Sequence, residues 1–255
     1  MKFKCIILCI GLLVLAISVG VYASEQNVSM YLSEVDFTRF IDENGVASIP
    51  ADINSFTVAE IPAKAFYNNP NLKKVVIPAT VTKINKYAFY KCTNLSEVVF
   101  SDNITVIDIN AFAYCTALEA LALPHNLQSV SEFAFMNCTN LKSVAFSPNT
   151  HSIGFAAFSN CTLLTNVTLG SGMTNIAASA FAGCSTLEKI VLPYQLIRVN
   201  EDTFSNCPLL KTVVLRGEAT TVNTRAFRNS PSAQVVYEIE FFENPTELPT
   251  EYATE

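Results

Sequence analysis

The chain has 255 residues, half of them hydrophobic, with 16 basic and 22 acidic side chains and a net charge of −6. An acidic surface repels the phosphates of nucleic acid and gives anionic lipid no polybasic dock, so neither is expected as a partner.

Residues 1–23 read as a secretory signal. Lys2 and Lys4 form a positive start, Cys5 to Val19 is nearly continuous apolar sequence, and Val21-Tyr22-Ala23 places small residues where signal peptidase reads. Cleavage after Ala23 would take the net charge to −8. The alternative is an uncleaved anchor helix, because the apolar stretch is long for a signal core. No lipobox precedes Cys5 or Cys9, and no membrane span is expected in the mature chain. Residues 24–60 follow no period and are expected to cap what comes next, with a tight turn at Asp42-Glu43-Asn44-Gly45.

A 23-residue period governs 61–232, giving about eight repeats. Phenylalanine stands at 66, 89, 112, 135, 158, 181, 204 and 227 without a slip. Ile61, Ile84, Ile107, Val130, Ile153, Ile176, Val199 and Val222 form a second column. A leucine column runs from Leu72 to Leu210 and a cysteine column from Cys92 to Cys207. A fixed period of this length marks a solenoid, in which each repeat is one supersecondary unit that buries its apolar face on its neighbours. Asn69 and Ser230 replace cysteine in the outermost repeats, as atypical ends should.

Within one repeat, Leu95-Ser96-Glu97-Val98-Val99-Phe100 has the L-x-x-L-x-L form of a leucine-rich repeat strand. Alternation turns Val98 and Phe100 inward and Glu97 and Val99 outward. Pro78, Pro124, Pro193 or Gly170 then ends the strand. After the Ile/Val column stand Asn85, Asp108, Ser131, Gly154, Ala177, Asn200 and Asn223, of which all but Ala177 are helix N-cap types. The three-residue spacing from Phe to Cys to Leu suits one side of a helical turn. The expected fold is therefore an α/β repeat solenoid of the leucine-rich repeat type, with a parallel β-sheet face and short helical turns. Residues 233–255 are expected to hold a last strand at Val235-Val236-Tyr237-Glu238-Ile239 and an acidic tail, whose Leu248-Pro249-Thr250-Glu251 lacks the glycine of a cell-wall sorting signal.

The string I-x-x-x-A-F-x-x-C-x-x-L-x-x-V-x-I/L-P, seen at Ile84, Ala88, Phe89, Cys92, Leu95 and Val98 and again from Ile176 to Pro193, resembles the BspA-like leucine-rich repeat family. The resemblance covers about Ile61 to Phe227. It implies a surface or secreted protein that adheres to host matrix, host cells or other microbes. It carries over scaffold residues only. Many relatives have a membrane helix, a cell-wall signal or extra modules, and none is visible here.

Chemistry is sparse. Six cysteines remain after signal removal, an even number in an oxidising compartment, and six allow fifteen pairings. All six share one repeat position, where parallel side chains give poor bridge geometry, so a ladder of buried free thiols is expected. A linear column does not make a metal tetrahedron, and no C-x-x-C occurs. His125 and His151 accompany no recognisable nucleophile. There is no phosphate-binding loop and no H-E-x-x-H. Glu97, Glu119 and Glu188 read as solvated surface rather than a paired acid and base. No catalytic residue, cofactor or metal is expected. Six N-x-S/T sequons occur, at Asn27, Asn94, Asn103, Asn137, Asn160 and Asn166; Asn27 and Asn103 fall on segments expected to be exposed and are the better glycosylation candidates.

The outward strand position reads Val76, Val99, Ala122, Ala145, Thr168, Val191 and Val214. Stacked, these residues would form a mostly apolar stripe with a polar rim, which suits binding of extracellular or cell-surface proteins. The bland reading is that β-branched residues favour strands. Self-association as a structural surface coat is the alternative function.

Overall fold

The structure is a computed structural model that describes residues 32–217 and 220–238. The chain divides into two compact units, Met1–Val35 and Asp36–Glu255. In the first, the described residues include a turn in which the Val35 N–H donates to the Leu32 carbonyl at 3.2 Å. The signal segment and the acidic tail beyond Glu238 lie outside the described residues.

The second unit is built rung by rung. Each rung contributes one front strand, and the remainder of the 23 residues returns the chain so that the next strand runs parallel. The front strands form three sheets. The first holds Val46–Ser48, Lys74–Val76 and Glu97–Val99. The second holds Ala120–Ala122, Ser143–Ala145 and Asn166–Thr168. The third holds Lys189–Leu192, Thr212–Leu215 and Gln234–Tyr237. Partners are one period apart within the repeats, as in Val75 against Val98 and Val144 against Val167; the first pair sets Ala47 against Val75 and the last sets Val214 against Val236.

The Ile/Val column forms a second parallel stack. Two-residue strands from Glu60–Ile61 to Asn175–Ile176 make a six-stranded sheet, and Arg198–Val199 pairs with Thr221–Val222. These strands are too short to show alternation in sequence. Their β-branched residues, buried at Ile61, Ile84, Ile107 and Ile153, suit a pleated and half-covered surface.

The expected helical turns are not present. Among the described residues between 59 and 234, the segment after the Ile/Val column is a run of tight turns. Two residues in each of the first seven turn segments have positive φ, for example Tyr87 at 60° and Lys91 at 57°, and the last has Asn229; a left-handed residue ends any right-handed helix before it completes a turn. The backbone instead bonds across rungs. The Phe89 N–H donates to the Ala111 carbonyl at 2.8 Å, Phe112 to Ala134 at 2.8 Å and Phe135 to Ala157 at 2.8 Å. The supposed N-caps also reach to the neighbouring rung: the Asn85 and Asn200 amides donate to the Ile61 and Ile176 carbonyls at 3.0 and 2.7 Å.

The phenylalanine column is the core. Phe66 to Phe204 are fully buried, and adjacent rings lie nearly parallel with centroids 4.8 to 5.8 Å apart. That spacing is one rung, so ring stacking and strand pairing impose the same repeat. Phe37, in a 3-10 turn at Phe37–Phe40, closes the column by meeting Phe66 edge-on at 6.1 Å. The expected tight turn is present: the Asp42 carboxylate accepts from the Asn44 and Val46 N–H groups at 2.9 Å, and Gly45 takes φ 84°. Val46–Ser48 then pairs with Lys74–Val76, so the capping segment supplies a rung of its own.

Candidate recognition surface

The front strands alternate as a sheet with one buried face must. Val75, Val144, Ile190 and Val213 point into the core. On the outward column, Val99 is 39% exposed, Ala122, Ala145 and Thr168 are exposed, and Val76 and Val191 are half-buried. Val214 departs from the expected stripe, since only 8% of it is accessible. It is paired between Val191 and Val236, and three β-branched side chains in register cover the middle one.

The stripe is also divided at two places. Glu97–Val99 and Ala120–Ala122 belong to different sheets, as do Asn166–Thr168 and Lys189–Leu192, and an open cleft of about 450 Å³ lies between the second pair. Thr168 and Val191 line it, with Asn166, Thr186, Glu188 and Lys189. The Thr186 hydroxyl lies within hydrogen-bond distance of the Thr162 and Leu164 carbonyls, at 2.9 and 3.1 Å. No sequence pattern announces this cleft, because the 23-residue spacing continues through it.

The polar rim is tied between rungs. Lys74 pairs with Glu97 at 2.7 Å, Lys142 with Glu119 at 2.8 Å and Lys211 with Glu188 at 2.9 Å. These pairs are exposed and contribute roughly 0–1 kcal/mol each, so they order the rim more than they stabilise the fold. They also neutralise all three carboxylates considered as an acid–base set.

All six cysteines from Cys92 to Cys207 are free and buried. Each thiol lies against the carbonyl of the phenylalanine one rung back, from Cys92 to Phe66 at 2.9 Å through Cys207 to Phe181 at 3.3 Å. Burial pushes the Cys92 and Cys138 thiols up to about 12 and Cys207 up to about 11, and holds Cys115, Cys161 and Cys184 well above the ordinary value. They therefore stay protonated and can donate, but are poor nucleophiles.

His125 and His151 are exposed. Among the described residues no group of three His, Cys, Asp or Glu side chains could hold a metal. Asn103 is exposed and its amide donates to the Ala79 carbonyl at 2.8 Å, while Asn27 lies outside the described residues. No helix among the described residues is long and apolar enough to cross a membrane.

Parallel 23-residue rungs, an outward front sheet and a stacked apolar column define a leucine-rich repeat solenoid. The family model for the BspA type leucine rich repeat region matches in six copies over residues 59–163 and 105–234, and the chain belongs to that family. Among solved structures, a leucine-rich repeat protein of T. pallidum is 26% identical, with a TM-score of 0.50 over 70% of this chain and 72% of its own. A leucine-rich repeat protein of Bacteroides ovatus is 23% identical, with a TM-score of 0.52 over 75% of this chain and 63% of its own. A leucine rich cell surface protein of Faecalibacterium prausnitzii is 23% identical, with a TM-score of 0.53 over 78% of this chain and 70% of its own. At 23% identity the last two show the fold alone. No curated protein sequence matches the chain.

Proposed function

We propose that the chain is a secreted or cell-surface recognition module, adhesin-like, that binds extracellular proteins of a host or of other microbes across its front sheet. The observation that carries this reading is the run of Val99, Ala122, Ala145 and Thr168, exposed on successive rungs beside ion pairs that leave the centre uncharged. Small and apolar side chains in a flat row let a partner approach closely and desolvate several rungs at once. The cleft between Thr168 and Val191 gives that surface relief into which an anchoring side chain fits. Secretion rests on the signal read at residues 1–23, and binding rather than catalysis rests on a repeat that no insertion interrupts.

The test is capture of host extracellular proteins on the mature chain, repeated with the Ala122→Glu/Ala145→Glu double variant. The reading expects a specific partner whose binding falls at least tenfold in the variant while cooperative unfolding is unchanged. Unchanged binding by the folded variant removes the front face as the site.

A second reading, self-association as a surface coat, is favoured by one feature. The last described strand, Gln234–Tyr237, exposes Val236 at 46% and Tyr237 at 55% beside a sheet edge. Sedimentation at several concentrations separates the two: a monomer throughout supports the first, and mass rising with concentration supports the second.

A further inference from the structure

A different surface carries an inference independent of the front-sheet reading. Each turn segment has a left-handed position that, in the first seven, stands four residues after another. Along the solenoid it is Asn68, Asn137, Asn160, Gly183, Asn206 and Asn229, the residue types that adopt positive φ most readily. The exceptions are adjacent rungs, Lys91 at φ 57° and Tyr114 at φ 64°. The first left-handed position is varied along the whole solenoid, from Lys64 and Tyr87 at 63° and 60° to Phe133, Ala156 and Ser179 at 57°, 51° and 59°, so only the second position singles out neighbouring rungs. There, bulky residues are held in a disfavoured backbone at Lys91 and Tyr114 alone, and such strain is found where side chains are needed for function.

These residues form one patch. Tyr67 stacks on Tyr90 with centroids 5.2 Å apart, and Tyr87 and Tyr114 each meet Tyr90 edge-on at 5.5 Å. The Lys91 ammonium lies 5.5 Å from the Tyr90 centroid and 5.7 Å from that of Tyr114, and Lys64 lies 5.9 Å from Tyr67. Lys64, Lys86 and Lys91 are exposed and have no carboxylate partner among the described residues, whereas Lys74, Lys83, Lys142 and Lys211 are paired across rungs. The rings fix the Lys64 and Lys91 ammonium groups by cation–π attraction and leave their N–H groups free for an anion, and Lys86 lies one residue before Tyr87. In an acidic protein this is a local basic site.

We infer that this turn face of the first three repeats binds an acidic polysaccharide, its carboxylate or sulfate groups on Lys64, Lys86 and Lys91 and its hydroxyls on the tyrosine hydroxyls. All four rings carry hydroxyls, which suits a hydroxyl-rich ligand that needs no open ring face. Protein interface cores are depleted in lysine. Single-stranded nucleic acid needs open ring faces for its bases, and here the rings stack on one another and under ammonium groups.

The chain has no tryptophan, and four of its nine tyrosines lie in the patch, so a change in tyrosine emission that the patch variants reduce reports binding there. The probe is a sulfated octasaccharide of alternating uronic acid and glucosamine, titrated into the mature protein beside a neutral octasaccharide of glucose. The inference expects a saturable emission change with the sulfated probe only, reduced at high salt. Lys91→Asn places an αL-tolerant residue at an exposed site, so it should melt no lower than the parent while binding at least about tenfold more weakly, the loss of one charge-assisted contact. Tyr114→Asn removes the ring that flanks Lys91 and should also weaken binding while the protein still unfolds cooperatively. Lys64→Gln/Lys86→Gln is a second variant away from the strained pair and should weaken binding similarly. Absence of binding, or unchanged binding in folded variants, overturns the inference. So does an equal response to an oligoglutamate or a single-stranded oligonucleotide of the same charge, which would assign the patch to another polyanion.

Discussion

The Ser230 hydroxyl donates to the carbonyl of Phe204 at 2.7 Å, the bond that the thiols of Cys92 to Cys207 make to the phenylalanine one rung back. The cysteine column is thus a column of small buried donors, and serine serves at its end. Cys138→Ser should therefore keep most of the stability that Cys138→Ala loses, about 1 kcal/mol for the missing donor. Ser230→Ala should lose more, about 1–3 kcal/mol, because the Cys207 N–H donates to the same hydroxyl at 2.8 Å and would be left without an acceptor. Denaturant midpoints of the three variants, with unchanged slope, check the order.

Thiol chemistry follows from the same geometry. In denaturant without reductant the mature protein should titrate six thiols, and in native buffer near pH 8 almost none. Folding raises the thiol pKa values, to about 12 for Cys92 and Cys138 and about 11 for Cys207. The unfolded chain therefore loses protons first. Their contribution to stability is complete below about pH 9 and lost as the pH rises through the folded values. A melting-temperature profile from pH 7 to 11 should fall above pH 9, and less steeply in a variant with Cys115, Cys138 and Cys161 replaced by serine.

Phe135 is stacked between Phe112 and Phe158, each with centroids 5.2 Å away. Phe227 has Phe204 on one side at 5.9 Å and is only half-buried. Phe135→Ala should destabilise by about 3–5 kcal/mol and Phe227→Ala by clearly less. Paired thermal melts decide this, and equal losses would contradict a core that is thickest in the middle.

The fold was legible wherever one residue type recurs at a fully determined position. The phenylalanine, isoleucine and cysteine columns, the front strands and the turn at Gly45 all stand where periodicity and turn chemistry put them. The helical turns were misread because a three-residue spacing from Phe89 to Cys92 to Leu95 fits successive tight turns as well as a helix. The signal that separates them is present: asparagine at 68, 137, 160, 206 and 229 and glycine at 183 mark a left-handed position on almost every rung. Of the candidate stripe, Val99, Ala122, Ala145 and Thr168 are as exposed as alternation requires. The burial of Val214 and the cleft beside Val191 depend on which side chains lie on the adjoining rungs and on where the sheet separates, which a single repeat does not encode. The tyrosine and lysine patch was missed because its members stand at four repeat positions and meet only when the rungs stack.

The central claim is that this alternation turns one row of the front strands to solvent and its neighbour into the core. Val144 is 2% exposed, and the adjacent Ala145 is exposed. Thermal unfolding of Val144→Glu and Ala145→Glu, measured side by side, tests the claim most directly. The account predicts that Ala145→Glu melts within experimental error of the parent, while Val144→Glu loses on the order of 3 kcal/mol or does not fold, because it buries an unpaired charge. Equal melting temperatures, or the reverse order, would contradict it.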